Sequence, residues 1–256
     1  MAKAVEGKEW GKDTLTPDDL MDSLEEIRKE YSGGSLADFR AAALPSSKEE
    51  VAASRRRSHT GVSGGNHRFE GERYLRIEGI ENKEIRRFAL RKLVDEEGQT
   101  TVGGTVPAHP TLQRWNSLEM GVTEEEIHDL ERQDAIPSSI VSTGWYHWMH
   151  RTAPWQVVAA SALVGEASKL IPEVKERMIR ELDQTRELYQ EWGIKDIDRA
   201  MAQQIEHSPG GVDDEHGLYD VNLTREYVNT PELQEELRKV YIYRLQRETR
   251  GQRGTL

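Results

Sequence analysis

Residues 172–193 read PEVKERMIRELDQTRELYQEWG. Val174, Met178, Leu182, Thr185, Tyr189 and Trp192 recur at spacings of three or four, the period of one face of an α-helix. Pro172 fits a first helical position, where its missing N–H costs nothing, and Gly193 fits the position just past a helix end. The same pattern extends on both sides. In NKEIRRFALRKLVDEEG, residues 82–98, Ile85, Phe88 or Ala89, and Leu93 mark one face, with Gly98 as the C-cap. HPTLQRWNSLEMG turns Leu112, Trp115 and Leu118 inward, and GVTEEEI carries a capping-box start for a short helix. Residues 155–170 place Val158, Ala159, Ala162, Leu163 and Leu170 on one stripe. LYDVNLTREYV and, after Thr230-Pro231, ELQEELRKVYIYRLQRE add two more helices. Near the start, PDDLMDSLEEIRKEY follows a Thr-Pro signal and spaces Leu20, Leu24 and Ile27 helically. Strand alternation is nearly absent. The expectation is an all-α protein of about seven to nine helices in a single domain. Residues 1–68 form an N-terminal helix with a polar arm or lid, and residues 69–256 form the helical core. Arg55, Arg56 and Arg57 fall in the polar stretch and read as solvated.

Composition narrows the function. The chain has 256 residues, 32 % of them charged, with a formal net charge of −11. An acidic surface argues against nucleic acid, whose phosphates need cations. No apolar run approaches the ~20 residues that span a bilayer, and the N-terminal MAKAVEGKEWGKD lacks the apolar stretch of a signal peptide. The reading is a cytoplasmic protein with no membrane partner. There is no cysteine, so strong metal ligation falls to imidazole and carboxylate, a set that suits iron, manganese or zinc.

Several such groups fall where periodicity puts them on inner faces. Glu166 lies in ASALVGEASKLI, four residues after Ala162 and four before Leu170. A carboxylate buried there must be paired or metal-bound. Glu96 and Glu97 end the helix of Leu93, and His109 opens the next. His207, Asp213 and His216 lie in IEHSPGGVDDEHG, with Asp213 and His216 three apart on one helical face. If Glu96 or Glu97, His109, Glu166, His207, Asp213 and His216 converge, three carboxylates and three imidazoles suffice for two metal ions. STGWYHWMHRTAPW, residues 142–155, gathers aromatic and histidine side chains. Trp145 and Tyr146 are candidates to line a substrate pocket, and Arg151 to pair a substrate carboxylate. His147 and His150, three apart, are rival metal ligands.

The stretches IRRFALRKLVDEEG, HPTLQRWNSLEMGVTEEEI, VAASALVGEASKLIPEVKERMIREL and DDEHGLYDVNLTREYVNTPELQEEL, in that order, resemble the haem-oxygenase-like superfamily. That superfamily includes pyrroloquinoline-quinone synthase, thiaminase-II-like proteins and di-iron oxidases and oxygenases. The resemblance covers about residues 70–245. It implies a haem-oxygenase-like bundle and, in the di-iron branch, an O2-dependent oxidase or oxygenase. The ligands implied are Glu96 or Glu97, His109, Glu166, His207, Asp213 and His216, with Glu166 and His109 nearest the chemistry. Two Fe(II) ions would be the cofactors and O2 the co-substrate. The small-molecule substrate would be amino-acid-derived or fatty-acid-like. An external electron donor and a homodimer are compatible with this reading. One departure stands out: five residues, including Pro209-Gly210-Gly211, separate His207 from Asp213, where the family has three. Proline and paired glycines break a helix, so His207 is expected to reach the site from an irregular segment, with the second iron labile. The alternatives are a metal-independent oxidase resembling pyrroloquinoline-quinone synthase, with His and Tyr as acid–base groups, and a non-enzymatic helical binding protein.

Overall fold

The computed structural model describes residues 7–32, 44–56, 77–96, 98, 107–132, 137–161, 170–208 and 212–252. All the regular structure among them is helical, without a strand. In chain order the helices are α1 (Pro17–Ser32), α2 (48–56), α3 (Lys83–Glu96), α4 (His109–Glu119), α5 (Glu124–Arg132) and α6 (Pro137–Thr152). They continue with α7 (Trp155–Ala160), α8 (Pro172–Glu191), α9 (Ile197–Ala200), α10 (Ala202–Glu206), α11 (Val212–Tyr227) and α12 (Pro231–Gln252). Among the described residues the count of twelve exceeds the expected seven to nine because it includes three short pieces, α7, α9 and α10, of 6, 4 and 5 residues.

Local sequence signals set the ends of these helices. Thr123 and Glu126 form the expected capping box at α5. The Glu126 N–H donates to Thr123 Oγ1 at 3.1 Å, and the Thr123 N–H donates to Glu126 Oε2 at 2.8 Å. Ser47 does the same for α2, accepting from the Glu50 N–H at 3.2 Å. Pro172 opens α8, and Gly193 leaves it at φ +67°, a left-handed conformation that glycine adopts without a Cβ clash. Gly98, just beyond α3, has φ +101°.

Two apolar cores hold the helices together. In the first, Leu20, Leu24 and Ile27 of α1 are buried with Leu223 of α11 and Leu237, Val240, Tyr241 and Leu245 of α12. Val157, Val158 and Ala160 of α7 and Met149 of α6 complete it. The N-terminal helix α1 thus packs in this core along α12 and α11. Each such leucine contributes about 1.5–3 kcal/mol by leaving water. The second core joins Val51 and Ala52 of α2 to Met120, Val122 and Ile127 near α4 and α5. Tyr189 of α8 joins it with Ile194, Ala200 and Met201 beside α9.

A buried amide locks the first core. The Leu15 N–H donates to Gln234 Oε1 at 2.8 Å, while Gln234 Nε2 donates to the carbonyls of Leu15 at 3.0 Å and Val228 at 3.2 Å. One side chain of α12 thereby satisfies backbone groups on both sides of the junction with α1. Gln234→Leu keeps the volume but orphans those groups. It should lower the unfolding free energy by about 2–4 kcal/mol, read as a lower urea midpoint at unchanged slope.

Candidate functional site

Helix α4 runs antiparallel to the α9–α10 segment. Near one end, buried Asn116 donates through Nδ2 to the Ala200 carbonyl at 2.7 Å and lies 3.4 Å from the Tyr189 hydroxyl. Alongside, Arg199 bonds Glu119 at 3.3 Å, with its guanidinium 5.5 Å from the Trp115 ring centroid. His109 lies seven residues before Asn116, and His207 seven residues after Ala200. Antiparallel packing in this register brings the two histidines level, and their ring centroids are 4.6 Å apart, edge to face. Glu206, the last residue of α10, places Oε2 3.3 Å from His109 Nε2. Both side chains of this pair are largely buried.

Two of the sequence-predicted ligands are therefore neighbours across a gap of almost a hundred residues. The break expected before Asp213 is present: α10 ends at Glu206, His207 is its C-cap, and α11 starts at Val212. His216 sits in another setting, on α11 against α3. Glu97 and Glu166 lie outside the described residues, as do the side chains of Glu96 and Asp213. Among the described residues no group of three or more His, Asp or Glu side chains is disposed to hold a metal ion. Glu206 carries one signal in the sequence, its adjacency to His207.

The α3–α11 seam has its own polar cluster. His216 is buried, with its ring edge-on to Phe88 at 6.0 Å between centroids. Phe88 stacks on Tyr219 at 3.4 Å. Burial, the largest cause, and the nearby Asp220 charge push the Tyr219 phenol up to about 12, so it stays a neutral hydroxyl through ordinary pH. One turn beyond His216, Asp220 is almost fully buried and bonds Lys92 at 2.9 Å. The Lys92 ammonium also lies 5.6 Å from the Phe88 ring centroid.

A cavity of about 310 Å³ opens between α2, α8 and α10. Its lining includes Arg55, Met178, Leu182, Gln203, Gln204 and His207, so one of the paired imidazoles also borders open space. The candidate substrate residues lie elsewhere. Trp145 stacks on Tyr243 at 4.3 Å beside the first core, and Arg151 is exposed in the last turn of α6. The Tyr146 side chain is outside the described ones. His150 is buried, whereas Trp148 is more than half exposed.

No family model, curated protein or solved structure matches the chain.

The Lys92–Asp220 pair yields a stability test of the seam. Asp220→Leu alone strands a cation in a largely apolar setting and should cost about 3–5 kcal/mol. Adding Lys92→Met should restore most of that loss in chemical denaturation, because two matched apolar groups need no partner.

Proposed function

We propose that the protein is a non-haem iron, O2-dependent oxidase or oxygenase of a small molecule, with His109 and His207 among the iron ligands. The observation that carries this reading is the pairing of those two imidazoles, 4.6 Å apart, beside the Glu206 carboxylate. Two imidazoles and one carboxylate are the donor set that non-haem iron uses when it leaves positions open for O2 and substrate. The His109–Glu206 separation of 3.3 Å also suits ligation. Two atoms each about 2.1 Å from one ion, at roughly a right angle or a little more, lie about 3.0–3.4 Å apart.

Closing this trio on an ion takes a side-chain rotation, since the described residues do not converge as they stand. By the resemblance, Glu96 or Glu97, Glu166, Asp213 and His216 supply a second iron, giving a di-iron enzyme. Bound iron would supply O2 reduction, chemistry that no side chain of a cysteine-free chain performs. The chain's own residues orient and exclude. α4 and α10 fix the imidazoles, and Met178 and Leu182 give the adjacent cavity an apolar wall.

A second reading rests on the same 3.3 Å contact. Without a metal, the His109 imidazole and the Glu206 carboxylate lie close enough to act together as acid and base toward a substrate. A metal-independent oxidase resembling pyrroloquinoline-quinone synthase would use such a pair.

Anaerobic Fe(II) titration separates the two. The iron reading predicts at least one tight equivalent, lost or weakened more than tenfold in both His109→Ala and His207→Ala, and O2 uptake by the loaded protein. A second, weaker equivalent would mark the labile site. Iron binding that is absent, or indifferent to both substitutions, would leave the metal-independent reading in place.

A further inference from the structure

Two helices carry exposed charge rows of opposite sign at the same spacing. On α3, Lys83, Arg87 and Arg91 recur every four residues, and all three are exposed. Leu90 and Val94, 44 % and 39 % exposed, run beside them. The other face of α3 is the one that packs: Ile85 is buried in the first core, Phe88 stacks on Tyr219 and Lys92 bonds Asp220. On α8, Asp183, Glu187 and Glu191 also recur every four residues and are exposed. Ile179 continues that row one turn earlier and is 49 % exposed. Val174 and Tyr189 form the buried side of the same helix.

Neither row is neutralised within its own chain. Among the described residues none of these six side chains has a hydrogen-bond or ion-pair partner. Like charges four residues apart on a helix repel, so each row is destabilising while it stands alone. One charge of the other sign flanks each row, Glu84 on α3 and Arg180 on α8, which leaves the α3 face positive and the α8 face negative. In a chain of net charge −11 the positive face is the exception, and an acidic surface is what it fits. The chain carries such a surface itself, on α8.

We infer that α3 of one copy packs antiparallel against α8 of a second copy of this chain. With the helices running in opposite directions, the spacing matches four levels: Lys83 with Glu191, Arg87 with Glu187, Arg91 with Asp183, and Val94 with Ile179. A step of four residues is about 6 Å on either helix, so one register serves all four levels. A parallel arrangement also matches the charges, but it sets Ile179 opposite Gly79, before α3 begins, and leaves Val94 uncovered. The apolar pair therefore decides the direction. Exposed ion pairs are individually weak; a row of three closed by an apolar contact gives register and specificity. With two-fold symmetry the contact occurs twice, and the assembly closes as a dimer.

The test follows the full chain by sedimentation velocity. The wild type should self-associate at micromolar concentration in low salt and about tenfold more weakly in about 0.5 M salt. Arg87→Glu and Glu187→Arg should each weaken association by about tenfold or more, because like charges then meet, and the double variant Arg87→Glu/Glu187→Arg should recover it. Both positions are exposed, so the exchanges leave the fold intact. The chain has no cysteine, which makes cross-linking clean. Arg87→Cys/Glu187→Cys should give a covalent dimer with a short bismaleimide reagent, and neither single-cysteine variant should. A wild type that stays monomeric at about 0.2 mM, about a hundredfold above the micromolar range, would overturn the proposal. So would association indifferent to salt and to both charge reversals, or a double variant that fails to recover it. Binding of anionic vesicles by a monomeric protein, lost in Arg87→Glu and kept in Glu187→Arg, would give the α3 face to a lipid surface and likewise overturn it.

Discussion

The hydrogen bond from Asn116 to the Ala200 carbonyl, 2.7 Å long and buried, sets the geometry on which the candidate site depends. It pins one end of α9 to α4 at a defined register. Buried polar groups demand specific partners, whereas apolar contacts tolerate sliding. A slip by one residue would leave an amide and a carbonyl unpaired in the interior, so the register is held. From that pin, seven residues in each direction bring His109 and His207 together. Arg199 and Glu119, on the far side of the pin, keep the segments from splaying. The imidazole pair is thus a consequence of helix packing and not of a local motif.

The same packing explains the cavity. α8 is a 20-residue helix whose apolar stripe is fully buried only at Val174 and Tyr189. Val174 and Tyr189 find cover, the latter in the second core beside Ala200 and Met201. Between them Met178, Leu182 and Thr185 face the space left where α10 ends and α2 passes. A lining that mixes apolar side chains with a few polar ones is the composition of a small-molecule site. It places a binding space next to an imidazole, which is what the proposed chemistry requires.

Much of the fold could be read locally. The Thr123–Glu126 box, Pro172 and Pro231 at helix starts, and Gly98 and Gly193 beyond helix ends are signals written within a few residues. The helical period over residues 172–192 was equally direct, although it could not say that its middle would line a cavity. Longer-range polar partnerships were not legible. Asn116 and Ser117 lie buried on a face where periodicity offered only Leu112, Trp115 and Leu118. Gln234 and Leu15 are 219 residues apart, and nothing in either neighbourhood announces the other. Arg55 and Arg56 read as solvated charges, yet one bonds Glu126 and the other lines the cavity. Of the site, His109 and His207 are legible by their ligand chemistry, and the end of α10 at Glu206 agrees with the break that Pro209-Gly210-Gly211 signal. Glu206 needed the tertiary arrangement, because a glutamate on a one-turn helix carries no period.

The account stands on His109 and His207 serving one metal ion together. Iron K-edge X-ray absorption on the anaerobically Fe(II)-loaded protein measures this most directly, because imidazole rings give a distinct multiple-scattering signature. The account predicts a shell with at least two imidazoles on one iron in the wild type and one fewer in His207→Ala. A shell of oxygen scatterers alone, the same in both proteins, would contradict it.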